Sequence, residues 1–156
     1  MDGTFQDIQR AIRLVRGNAA KRNIDSDRVG VMGFSAGGHL SAHLSTNSDQ
    51  ATYPELDAVD KKDIRPDFAI LVYPAYLSQV PYQLSGSLPV NAKTPPTFIV
   101  HTEDDKFFIA GSKVYHAALD EAKFRTRSFF APRAATATDC APTRRSASGP
   151  RSARSG

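Results

Sequence analysis

Gly33-Phe34-Ser35-Ala36-Gly37 sets a hydroxyl between two glycines, G-x-S-x-G, and a third glycine follows at Gly38. A serine hydroxyl is a weak nucleophile unless its surroundings activate it. A sharp strand-to-helix turn provides one such setting: it lifts the oxygen clear of the sheet, at the positive end of the following helix. The flanking residues fit that setting. Arg28 to Phe34 (RVGVMGF) is a short apolar run, read as a buried strand, and His39-Leu40-Ser41-Ala42-His43-Leu44 reads as a helix. Gly33 and Gly37 would leave room where the chain reverses, and the backbone N–H of Ala36 would become an oxyanion donor. The competing reading is a plain glycine-rich turn of a nucleotide-binding unit, but the phosphate-binding glycine spacing is absent.

A carboxylate that orients a histidine must lie past the end of a later strand. His101-Thr102-Glu103-Asp104-Asp105 occupies such a place, after the apolar run Thr97 to His101. Asp105, two residues before Phe107-Phe108, is the preferred acid and Asp104 the runner-up; a solvated acidic loop is the structural alternative. The four histidines fit the role of base poorly. His39 and His43 lie on the helix that runs away from the hydroxyl. His101 ends a strand ahead of the acid loop, and His116 falls in the next helix, too early for the loop after the following strand. Geometry precedes pKa in choosing a base.

The elements that would position these groups alternate along the chain. Phe5, Ile8, Ile12, Val15 and Ala19 recur at three- and four-residue steps, with Arg10, Arg13, Arg16 and Lys21 on the other side. This predicts an amphipathic helix from about Thr4 to Arg22, with Thr4 as cap and Asp7 at the capping-box position. Asn23 to Asp27 is a turn. Ser45 to Arg65 reads as a polar excursion loop, Asp67 to Tyr73 (DFAILVY) as a second buried strand stopped by Pro74, and Ala75 to Pro96 as another loop. Thr97 to His101 is a third strand and Gly111 to Lys123 a helix, with Val114, Tyr115, Ala118 and Leu119 on one face. Apolar strands alternating with helices predict a parallel sheet with crossover helices, a partial doubly wound α/β fold over residues 1–124.

After Phe124 the texture changes to Ala, Arg, Ser, Thr and Pro without a period of 2 or 3.6. Residues 125–156 are therefore expected to be a disordered tail. The chain's net charge of +4 is concentrated there: seven arginines against Asp139 give the segment +6 and leave the body at −2. Such a tail has some electrostatic attraction for nucleic acid, but a solvated end of no function is the preferred reading, and nucleic acid is disfavoured as a partner. Cys140 is the single cysteine, which excludes an internal disulfide and a cysteine metal cluster. No metal or cofactor is expected. No apolar stretch reaches the roughly 20 residues that span a bilayer, and Met1 to Arg10 has no signal-peptide core. As written the chain reads as cytoplasmic, with any export signal upstream of Met1. Oligomeric state is not legible.

The stretch QDIQRAIRLVRGNAAKRNIDSDRVGVMGFSAGGHLSAHLST, then YPELDAVD, RPDFAILVYP and LPVNAKTPPTFIVHTEDD, resembles the α/β-hydrolase fold family of bacterial esterases. Within it, the likeness is to acetylxylan-esterase-like proteins, often labelled xylanase or esterase/lipase, over about Thr4 to Lys123. The resemblance implies that Ser35 is the nucleophile and Asp105 the acid of a triad. It implies hydrolysis of small acyl esters, commonly acetyl groups on plant polysaccharide, without a cofactor. Two features of the family are not found in the sequence: the His-Gly-Gly oxyanion loop ahead of Thr4, and a catalytic histidine in a Gly-Gly-His-Gly-like turn beyond Lys123. The tail offers an explanation for the second. Read one base out of phase, the codons of Ala134 to Pro142 permit G-G-H-G-Y-G-L-R-P, and those from Phe124 on permit V-P-D-A-E. A reading-frame shift near Glu121 to Phe124 would place the missing histidine there. The expectation is an esterase with little or no activity in this chain. The alternatives are a peptidase or dienelactone-hydrolase-like member of the same fold, and a non-catalytic fragment or a binding protein that uses its basic tail.

Overall fold

The computed structural model describes residues 2–49, 51–80, 82–123 and 125–133. Helix α1 spans Asp2–Gly17 and a short helix α2 spans Ala19–Arg22. Strand β1 (Val31–Phe34) leads into helix α3 (Ala36–Thr46). A 3₁₀ turn at Ala58–Lys61 precedes β2 (Ala69–Val72). The small strands β3 (Ser78–Val80) and β4 (Gln83–Leu84) form an antiparallel pair. Then come β5 (Thr97–Thr102), helix α4 (Ile109–Glu121) and β6 (Thr126–Ala131).

The four long strands form one parallel sheet in the order β1-β2-β5-β6. Its register aligns Val31 with Ala69, Ala69 with Thr97 and Thr97 with Thr126. Alternate residues of a strand face opposite sides. Val31, Ala69, Leu71 and Ile99 therefore point the same way, and they form one buried cluster with Phe5 and Ile12 of α1, Ala42 and Leu44 of α3, and Tyr115 and Leu119 of α4. The other face carries Met32 (58% exposed), Phe34 (48%), Phe98 (39%) and Phe129 (60%). Among the described residues the helical layer thus lies on one side, which makes the winding partial.

The first helix departs from the sequence expectation in three ways. It begins at Asp2, so Thr4 lies inside it rather than capping it. It also breaks at Asn18 (φ −105°, ψ 7°), and Gly17 just before the break sits so close to Val59 that a Cβ there would be 2.9 Å from a valine methyl. Its arginines are not a plain solvated face. Arg10 holds Asp57 with two hydrogen bonds of 3.0 and 2.7 Å and also pairs with Asp60 at 2.7 Å. Arg13 donates to the Lys62 carbonyl at 2.9 Å and lies over the Tyr53 ring, and Arg16 pairs with Asp67 at 3.0 Å. These contacts pin the excursion loop to α1. Asp60 is buried, which by itself would raise its pKa, but hydrogen bonds from Tyr53, Leu56, Arg10 and Asp57 outweigh burial and hold it well below the usual carboxylate range.

The second correction concerns Thr126–Ala131, placed by the sequence reading in the tail. These residues pair with all six positions of β5, and Thr97 N–H donates to the Arg125 carbonyl at 3.1 Å. Phe130 packs against the core, while Arg127 and Phe129 face outward. A neighbouring strand supplies the ladder bonds, and β-branched and aromatic residues suit the pleat, so the segment extends without a strong period of its own. Residues 134–156, with Cys140, Asp139 and the Ala134 to Pro142 stretch of the shifted reading, lie outside the described residues.

Candidate active site

Ser35 follows β1 and is the N-cap of α3, with φ 51° and ψ −121°. That is a sparsely populated conformation for a side-chain-bearing residue, the kind of strain held at functional turns. It persists because the surroundings fix the backbone on both sides. The Ser35 N–H donates to the Val72 carbonyl at 3.2 Å. Its carbonyl accepts from Gly38 at 3.0 Å, His39 at 3.3 Å and Ala75 at 3.0 Å. The residue is exposed, as are Ala36 and Gly37. Among the described residues the Ser35 hydroxyl makes no hydrogen bond.

The glycines divide the work differently from the sequence expectation. A Cβ on Gly33 would fall 2.1 Å from the Gly37 carbonyl oxygen, so that position is closed to any other residue. Gly37 itself would meet nothing within 4 Å. The second crowded glycine is Gly38, whose Cβ would lie 2.7 Å from the Pro74 Cβ and 2.9 Å from its Cα. Close packing of α3 on the end of β2 is the reason. Ala36 opens α3, where a backbone N–H has no partner within the helix.

Asp105 lies past the end of β5. Its Oδ1 accepts from the Phe107 and Phe108 amides, both at 3.0 Å, and its Oδ2 is 3.0 Å from His101 Nε2. Partial burial alone would raise the Asp105 pKa; the bonds from His101, Phe108 and Phe107 outweigh it and hold the carboxyl below its ordinary value. Asp104, the runner-up, is exposed. Ser35 and Asp105 thus leave the same edge of the sheet, from β1 and β5, with β2 between them. At about 4.8 Å per strand, β1 and β5 run about 10 Å apart.

No histidine ring among the described residues is hydrogen-bonded to the Ser35 hydroxyl. His39 and His43 stack on α3 with ring centroids 6.1 Å apart, and His43 lies 4.4 Å from the Phe5 ring. Burial lowers the pKa of both, and for His43 the neighbouring His39 adds to it. They line a mostly apolar pocket of about 310 Å³ with Phe5, Ala36, Gly37 and Tyr76, beside the turn. His116 pairs with Asp120 at 3.2 Å on α4, its ring 6.2 Å from that of Phe130. His101 is the surprise. Its ring is buried against the acid loop, and the sequence signal was only its position four residues before Asp105. Among the described residues no group of three or more His, Cys, Asp or Glu side chains gathers as a metal site would.

Comparison with known proteins gives a consistent picture. The BD-FAE family model matches residues 2–73. Endo-1,4-beta-xylanase B of Butyrivibrio fibrisolvens is 32% identical over 149 residues, covering 83% of this chain and 23% of that protein. The acetylxylan esterase of Xylanibacter ruminicola is 43% identical over 68 residues, 44% of this chain and 12% of that protein. Among solved structures, an acetyl ester-xyloside bifunctional hydrolase from Caldicellulosiruptor lactoaceticus superposes with a TM-score of 0.70 at 33% identity, over 83% of this chain and 55% of the other. Thermogutta terrifontis esterase 2, in a form phosphorylated by paraoxon, superposes with a TM-score of 0.65 at 26% identity, over 81% and 50%. The chain therefore spans less than a quarter of these curated relatives and about half of these solved ones.

Proposed function

Because this chain is a relative of the carbohydrate esterases of the α/β-hydrolase fold, we propose that it carries the nucleophile and the acid of a serine esterase acting on small acyl esters, acetyl groups on plant polysaccharide foremost. In the complete reaction Ser35 Oγ attacks the ester carbonyl and gives its proton to an imidazole. Asp105 accepts the other N–H of that imidazole, which fixes its tautomer and steadies the imidazolium. The Ala36 N–H donates to the oxyanion. Collapse expels the alcohol, which takes the proton from the imidazolium. Water then attacks the acyl-serine, giving up a proton to the same imidazole; collapse breaks the acyl–Oγ bond, Ser35 Oγ takes that proton back from the imidazolium, and the carboxylic acid leaves.

The observation that carries this reading is the strained, exposed Ser35 at φ 51°, at the head of α3. The imidazole is the part that no described residue brings to Ser35. On the proposed reading it belongs to the turn after the last strand. The oxyanion loop named by the resemblance belongs ahead of Thr4. The chain by itself is therefore expected to hydrolyse 4-nitrophenyl acetate no faster than its Ser35→Ala variant; brisk turnover that Ser35→Ala abolishes would show that it is competent alone. An organophosphate is the direct probe of the nucleophile, since a structural neighbour carries one. A chain extended with the segments of an intact relative on both sides should be phosphorylated by paraoxon at Ser35. Modification elsewhere would remove Ser35 from the role.

A further inference from the structure

Asp105 has a companion that the esterase chemistry does not call for. We infer that His101 is a positioning residue: its buried ring, held by Ser112 in the Nε2–H form, fixes the Asp105 carboxylate and leaves it a single open acceptor site. The inference rests on the esterase reading only for what occupies that open site.

The argument is a count of donors and acceptors. An ionised carboxylate accepts and never donates, and it has about four lone-pair directions. Two of these, on Oδ1, are taken by the Phe107 and Phe108 amides. A third, on Oδ2, faces His101 Nε2 at 3.0 Å, so that nitrogen must carry a hydrogen. The opposite ring nitrogen, Nδ1, lies 2.7 Å from Ser112 Oγ. A serine hydroxyl donates as readily as it accepts, and its donation to Nδ1 completes a neutral ring with its hydrogen on Nε2. His101 is 1% exposed and Ser112 0%, so water does not compete for either.

The relay is anchored by two different elements. His101 sits in β5 and Ser112 in the first turns of α4, whose neighbour Gly111 packs closely on Ser78. The acid loop between them is thereby tied to the sheet and to the helix at once. Two other pairs on these elements involve different side chains: Glu103 pairs with Lys113 at 3.4 Å, and His116 with Asp120. One Oδ2 lone pair of Asp105 remains. On the esterase reading it takes the N–H of the catalytic imidazole, and the carboxylate is already aimed before that imidazole arrives.

Nuclear magnetic resonance of the chain tests this without any turnover. Two-bond proton–nitrogen spectra of the His101 ring should show Nε2 protonated and Nδ1 bare. The carboxyl carbon of Asp105 should titrate below the ordinary aspartate value, and in His101→Leu its midpoint should move up. His101→Gln, which keeps an amide donor, should recover part of the shift, a response that simple loosening of the core would not give. Ser112→Ala should increase the fraction of His101 protonated on Nδ1. A ring protonated only on Nδ1 in the unaltered chain, or an Asp105 midpoint that His101→Leu leaves in place, overturns the inference. Should His101→Leu fail to fold, the tautomer in the unaltered chain and the His101→Gln titration decide it. The paraoxon experiment on Ser35 is separate, so failure of the esterase reading would leave the hydrogen-bond result standing, and the reverse.

Discussion

The corner that carries Ser35 and the corner that carries Asp105 are built on opposite plans. At Ser35 the side chain is left alone and the backbone is held: three N–H groups converge on its carbonyl, and Val72 takes its own N–H. At Asp105 the side chain is held, by two amides and one ring nitrogen. The Ser35 corner draws its partners from β2, the chain after it and α3. The Asp105 corner draws its partners from residues 101–112 of one connected segment. On the proposed reading, the contrast teaches that a group which must react is placed through its main chain, whereas a group which must only orient another is placed through its functional atoms.

The largest effect expected from this contrast is at Gly33. Gly33→Ala puts a methyl carbon within 2.1 Å of a backbone oxygen that has no rotamer to move, and the cost should exceed about 3 kcal/mol in urea unfolding. A near-normal midpoint would mean that the turn is loose and the contrast false. Gly38→Ala meets the Pro74 ring and backbone at 2.7 to 2.9 Å and should cost about 2 kcal/mol, less because the proline end can yield slightly. Asp105→Asn probes the other corner and should cost about 1 kcal/mol or somewhat more at neutral pH, since it removes a charged acceptor from three donors. Its sign with pH follows from a folded pKa that lies below the ordinary 3.8. The ionised carboxylate contributes stability that is fully present above the unfolded value and is lost as pH falls through the folded one. The gap between the unaltered chain and Asp105→Asn should therefore close below about pH 4, and a gap that persists in acid would show that geometry rather than charge holds the loop. The smallest effect is a gain. Ser35→Gly relieves the strained φ, and after the added freedom of the unfolded chain it should stabilise by about 1 kcal/mol while removing the hydroxyl. A loss instead would mean that the serine side chain is not under strain.

Sequence reading recovered the parts of this molecule that rest on local pattern. RVGVMGF, DFAILVY and TFIVH are apolar runs short enough to be central strands, and each contains the strand found there, at Val31–Phe34, Ala69–Val72 and, extended by one residue, Thr97–Thr102. The placement of Ser35 at a strand-to-helix turn follows from the same pattern. What stayed hidden depends on partners distant in sequence. Thr126–Ala131 becomes a strand through β5, not through its own alternation. The arginines of α1 look solvated until the loop with Asp57, Asp60 and Asp67 folds back on them. Gly38 seemed an extra glycine of the motif and proves to be the contact point with Pro74, 36 positions later. His101 was weighed as a base and set aside for its position, but nothing in the spelling of HTEDD says that its ring turns back onto the last aspartate.

The strand β2 has a further consequence as the spacer of this edge. At its C-terminal end the ladder continues, through Ser35 N–H to the Val72 carbonyl and through Tyr73 N–H to the Val100 carbonyl at 2.6 Å. The interval between hydroxyl and carboxylate is therefore counted in whole strands and cannot be widened by degrees. Sliding β2 by one residue would turn Ala69 and Leu71 outward, and sliding it by two would break both end bonds. Any change in what fits beside Ser35 would have to leave this interval untouched and come from the side chains around it, such as Tyr76 on the wall of the neighbouring pocket.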